Sequence, residues 1–155
     1  MSIFTELGIS QGQGRVKEEV LYNLAACYTL VEKKISRVLE PYDLTPVTMN
    51  TLLIIKHAGK KEGLSQIDLS RKMIVSAGNT TRLVDRLEKE KLVERAPKPN
   101  DRRVKLIRVT EKASEILDQA WPVYKKEVES IMSVISSADL AATRSVLNNF
   151  REKLT

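Results

Sequence analysis

The chain has one cysteine and one histidine in 155 residues. A single thiol, Cys27, cannot close an intramolecular disulfide, and Cys27 with His57 falls short of the nitrogen and sulfur ligands that a zinc site needs. No metal or other cofactor is expected. Long apolar runs are also missing: the longest, such as Thr51-Leu52-Leu53-Ile54-Ile55, are far shorter than a membrane span. The opening Met1-Ser2-Ile3-Phe4-Thr5-Glu6 has no basic segment leading into an apolar stretch. It does not read as a secretory signal, and a cytoplasmic location is the expectation. Gly12-Gln13-Gly14 lacks the strand and helix that would make it a phosphate loop. No set of His with Asp and Ser, or of Cys with His, goes beyond single residues, so an enzyme is not expected.

What remains is 42% hydrophobic and 30% charged, the make-up of a soluble globular domain, here one domain over 1–155. The charge is unevenly spread. Residues 60–112 hold fifteen basic and eight acidic side chains, a net of +7, and the rest of the chain carries −1. A polyanion-binding module flanked by near-neutral segments and a merely solvated basic surface both fit that balance.

Apolar periodicity supplies the elements. Val16, Val20, Leu24, Tyr28, Val31, Ile35 and Val38 recur at three and four, which makes one long amphipathic helix with a narrow stripe, ending near Pro41. Thr45-Pro46 opens a second helix with a cap and a proline at the first position, and it closes near Gly59. Lys60 to Gly63 is a polar connector, and Ser65-Gln66-Ile67-Asp68 reads as a capping box for a short third helix. Ser76 caps a fourth that runs to about Lys91. Leu92–Arg95 and Val104–Val109 are rich in β-branched residues and read as two strands around the basic turn Lys98-Pro99-Asn100-Asp101-Arg102-Arg103. Thr110 caps a long helix from about Glu111 to Ile135 that Pro122 should kink or split. Ser136 and Asp139 open a last one, with Leu140, Thr143, Leu147, Phe150 and Leu154 on one side.

The fold class that follows is mainly α with a small β-hairpin wing. A winged helix-turn-helix module spans 44–112, and helices at 15–40 and 113–155 are assigned to dimerisation because their stripes exceed what the small middle can cover. On the fourth helix, Asn79, Arg82 and Arg86 share a face, the residue types that read adenine and guanine in a major groove. Ser76, Thr80 and Thr81 add hydroxyls for phosphates or bases. The competing reading is an ordinary solvent face with Arg82–Asp85 and Arg86–Glu90 ion pairs. In the wing, Lys98, Arg102 and Arg103 are the cations for phosphate and minor groove. Asp101 either holds Arg103 or fixes the turn through backbone amides. Cys27, far from any cation along its helix, reads as a buried and inert thiol, and His57 as a surface or helix-end residue. Trp121, Tyr124, Tyr28 and Tyr42 are either plain core or the lining of a pocket for a small aromatic effector.

From Leu44-Thr45 to Ala113 the sequence resembles the MarR family of transcription regulators. The resemblance is carried by Leu44-Thr45, Leu64-Ser65, Thr81-Arg82-Leu83-Val84-Asp85-Arg86-Leu87-Glu88, Leu92-Val93-Glu94-Arg95, Asp101-Arg102-Arg103 and Val109-Thr110-Glu111-Lys112-Ala113. Lys91 and Ala113 stand where the family commonly has glycine. The resemblance implies a triangular homodimer on a double-stranded, pseudo-palindromic DNA operator, with no membrane partner. It also implies repression, and release from DNA by a small aromatic or phenolic compound. Two further readings are a non-specific architectural DNA binder and a winged helix that binds a protein.

Overall fold

The computed structural model describes residues 2–9, 15–73, 77–99 and 101–154. Along the chain run α1 (Ile3–Glu6), α2 (Val16–Leu39), a 3-10 turn at Glu40–Tyr42, α3 (Pro46–Gly59), β1 (Leu64–Ser65), α4 (Gln66–Lys72) and α5 (Ala77–Lys89). After these come β2 (Val93–Lys98), β3 (Asp101–Val109), α6 (Glu111–Met132) and α7 (Ser137–Leu154). They form two compact units: Val38–Lys125 is one, and the segments on either side of it make the other.

Local chemistry explains the helix ends of the central unit. The Thr45 hydroxyl accepts the Thr48 amide at 3.1 Å in front of Pro46, which starts α3. Ser65 accepts the Asp68 amide at 3.1 Å and donates to its carboxylate at 2.6 Å, which starts α4. Thr110 caps α6 by accepting the Ala113 amide at 3.2 Å, and the same hydroxyl donates to the Lys91 carbonyl at 2.8 Å. Helix α5 closes with the Leu92 amide on the Leu87 carbonyl and the Lys91 amide on the Glu88 carbonyl, a Schellman pair that forces Lys91 to φ +59°.

The strands form one antiparallel sheet in the order β1-β3-β2. β2 and β3 pair from Val93↔Val109 to Pro97↔Lys105, and then jump to Lys98↔Asp101. Among the described residues, 102–104 have no cross-strand partner, a bulge-like break in register just behind the tip. β1, which falls in the segment read as a connector and a helix cap, adds Leu64↔Ile107 and Ser65↔Leu106. Gly63 makes that pairing possible: its φ is +92°, and a Cβ there would lie 2.8 Å from the Ile107 carbonyl oxygen. One face of the sheet meets the helices, burying Leu52, Ile55, Leu69, Val84, Leu87, Ile107 and Leu117. Each such side chain contributes about 1.5–3 kcal/mol by leaving water. Pro122 lies inside α6, and the helix runs through it rather than splitting.

In the other unit, α1 is an element that the periodicity did not announce. It buries Phe4 edge-on against Tyr22, with ring centroids 5.5 Å apart, and the Arg15 guanidinium lies 5.1 Å from the Phe4 centroid. The long stripes are only partly covered in the single chain. Val16, Val20, Leu21, Tyr28 and Leu30 of α2 are exposed, as are Leu140, Val146, Leu147, Phe150 and Leu154 of α7, a helix with no buried residue. Cys27 is exposed as well, which corrects the expectation of a buried thiol. Among the described residues, no helix is long and apolar enough to cross a membrane.

Candidate nucleic-acid interface

Helix α5 is strongly two-sided. Leu83, Val84 and Leu87 are buried against the module, while Asn79, Thr81, Arg82, Asp85 and Arg86 are exposed. Helix α4 precedes it as the first half of a helix-turn-helix, and the Gln66 side-chain amide donates to the Thr81 hydroxyl across the pair at 3.4 Å. Gln66 had drawn no attention in the sequence, and its partner lies fifteen residues away.

The predicted contact residues have different fates. Asn79, Thr81, Arg82, Lys98, Asp101 and Arg103 are exposed. Ser76 and the side chain of Arg102 lie outside the described residues. Thr80 is corrected: it is fully buried and its hydroxyl has no hydrogen-bond partner among the described residues, so it packs inward with Leu83 and Val84 instead of facing a ligand. By helical period Thr80 falls with Leu83, Val84 and Leu87 on the apolar side of α5.

The charges are allotted unevenly. Arg95 of β2 reaches back to α5, donating to Asp85 at 2.7 Å and to Glu88. Burial alone would lower the Arg95 pKa, but the hydrogen bonds and charges of these two carboxylates outweigh it and hold the guanidinium above its ordinary value. This ties the wing to the recognition helix. It also removes Asp85 from Arg82, so the expected Arg82–Asp85 pair is not formed. Arg82 has no ion pair among the described residues. Arg86 does approach Glu90, at 3.7 Å, and donates to the Thr48 hydroxyl of α3 at 2.9 Å. At the wing tip, Asp101 accepts the Arg103 backbone amide at 3.1 Å, so of its two expected roles the turn-fixing one is present.

The other candidates separate. Trp121 and Tyr124 stack with centroids 5.6 Å apart at a 30° tilt, and Trp121 is exposed rather than core, as is Tyr28. His57 is exposed in the last turn of α3, as expected.

A helix-turn-helix with an outward Asn and Arg, tied to a basic hairpin, defines a winged helix-turn-helix fold. A family model described as MarR family matches residues 44–105. The chain is 28% identical over 117 residues to the HTH-type transcriptional regulator MhqR of Bacillus subtilis (strain 168), covering 76% of this chain and 79% of that protein. Its fold matches a mutant of MarR from E. coli complexed with operator DNA at a TM-score of 0.80 and 20% identity, covering 90% of this chain and 99% of the other. It also matches an organohalide-sensing transcriptional regulator in its 2,4-dichlorophenol-bound form, at a TM-score of 0.81 and 18% identity, over 93% of this chain and 86% of the other. Over residues 44–105, and across most of its length in these relatives, the chain is thus similar to transcription regulators of the MarR family.

Proposed function

We propose that this protein is a cytoplasmic, homodimeric repressor that reads a pseudo-palindromic operator and leaves it when a small aromatic compound binds. The observation that carries the reading is the state of Arg82. It stands exposed on the outward side of α5, one turn from the exposed Asn79, with no ion pair among the described residues. An uncommitted guanidinium beside an uncommitted amide suits guanine and adenine edges. Thr81 flanks them, and Lys98, Arg102 and Arg103 belong to a wing that Arg95 holds to the same helix. Asp101 serves the interface by shaping the wing tip.

The dimer is supported by the uncovered apolar side chains of α2 and α7, which a second copy would remove from water. Two recognition helices related by a two-fold axis require half-sites about one helical turn apart. The aromatic effector is supported by the dichlorophenol-bound relative in fold and by the exposed Trp121–Tyr124 pair.

Selection of genomic fragments by the purified protein, followed by a salt titration on the best fragment, tests the reading. A pseudo-palindrome enriched well above bulk DNA, with affinity falling steeply as salt rises, is the expected result. Weak binding without an enriched sequence would assign the module to architectural binding or to a protein partner.

A further inference from the structure

We infer that Arg86 is a positioning residue that clamps the recognition helix to the start of α3, and that Asn79 and Arg82 alone make up the base-reading pair of α5. This rests on the DNA-binding reading above and divides its site. By type and spacing the three residues look equivalent, since all are exposed on one side of the helix. Their bonding differs. The Arg86 Nη2 donates to the Thr48 Oγ1 at 2.9 Å, and its Nε lies 3.7 Å from the Glu90 carboxylate. Guanine reading takes two N–H groups of one guanidinium pointed at the base edge, and two of the Arg86 nitrogens face protein acceptors instead.

The acceptor is itself held in place. Thr48 is buried, its Oγ1 also accepts from the Thr45 hydroxyl at 2.9 Å, and its amide donates to the Thr45 Oγ1 at 3.1 Å. Arg86 thus engages the cap of α3, a rigid feature of the module. Between the two helices lies a cleft of about 440 Å³ lined by Thr45, Val47, Asn79, Arg82, Leu83 and Arg86. Arg86 spans that cleft through its hydrogen bond to Thr48. A charge-assisted hydrogen bond spanning open space sets the angle at which α5 is presented. Arg82 lies one turn away and has lost its natural carboxylate, Asp85, to Arg95.

The test is a comparison of purified dimers of wild type, R82A, R86A, T48V, T48S and the double variant R86A/T48V on the selected site. Each variant is also put through selection on randomised DNA. R82A should flatten the preference at one base position of each half-site. R86A and T48V should each weaken binding about tenfold, the size of a contact-pair coupling, and leave the base profile intact. The double variant should be no weaker than either single one, and T48S, which keeps the hydroxyl, should bind like wild type.

A base position flattened by R86A would overturn the inference, as would a salt slope lowered by about one, the mark of a lost phosphate contact. Wild-type affinity in T48V would also overturn it. If the wild-type protein enriches no sequence, the DNA reading itself has failed. The clamp is then judged from urea midpoints, where additive losses in R86A and T48V would refute it.

Discussion

Lys91 is the residue with the least comfortable backbone at the interface between helix and wing. Its φ of +59° lies in the left-handed region, where a Cβ crowds the following carbonyl, and the Schellman closure of α5 leaves it no other conformation. The side chain is exposed, so nothing is lost by removing it. Lys91→Gly should therefore raise stability by about 0.5–1 kcal/mol, read as a higher urea midpoint at unchanged slope, because relief of strain exceeds the added freedom of the unfolded chain. That position was visible in the sequence as a lysine where the family it resembles commonly has glycine. Residue roles were less legible. Periodicity assigned Asn79, Arg82 and Arg86 to one face, and it could not show that a threonine 38 residues earlier takes hold of the last of them. The burial of Thr80 was legible from spacing, and the exposure of Cys27 was not, since it depends on what α2 packs against.

At the scale of elements, the wing is more extended than its β-branched residues announced. β2 runs on through Ala96, Pro97 and Lys98, and β3 starts at Asp101. Composition misses this because pairing with a long partner strand overrides the weak propensities of alanine, proline and lysine. β1 was hidden for a related reason: two residues carry no period, and only the register with Leu106 and Ile107 makes them a strand. Helices were easier, because a cap and a run of three-four spacings mark both ends. The wing makes two predictions. Arg103→Ala should cost about 1–3 kcal/mol of operator affinity while sedimentation still shows the assembled protein. Asp101→Ala removes the acceptor of the Arg103 amide, so it should also weaken operator binding, although it deletes a negative charge that phosphate repels. Tighter binding by that variant would mean that charge outweighs turn geometry at the tip.

For the whole molecule, the notable quantity is apolar surface left in water. Phe150 and Leu147 of α7 are 43% and 42% exposed, and Leu154 is 70% exposed, on a helix that buries nothing within its own chain. A stable monomer rarely tolerates this, and a second copy is the economical cover. Placing glutamate at both Leu147 and Phe150 should shift sedimentation equilibrium to monomer at micromolar concentration. Operator affinity should fall with it, since one recognition helix cannot hold two half-sites. A dimer that survives both changes would move the interface to α2 alone. The exposed apolar rows were legible in the sequence as narrow stripes on long terminal helices.

The break in register at residues 102–104 separates two kinds of geometry in one hairpin. Behind it, the pairing from Val93↔Val109 to Pro97↔Lys105 fixes which side chain faces which side of the sheet, so a slip of one residue would exchange the faces of Leu106 and Ile107. Ahead of it, nothing is registered to the core. Residues can be inserted or deleted at the tip without inverting the sheet, which makes the wing the part of this protein that a lineage can lengthen or shorten as it moves from one operator to another, at little cost to folding.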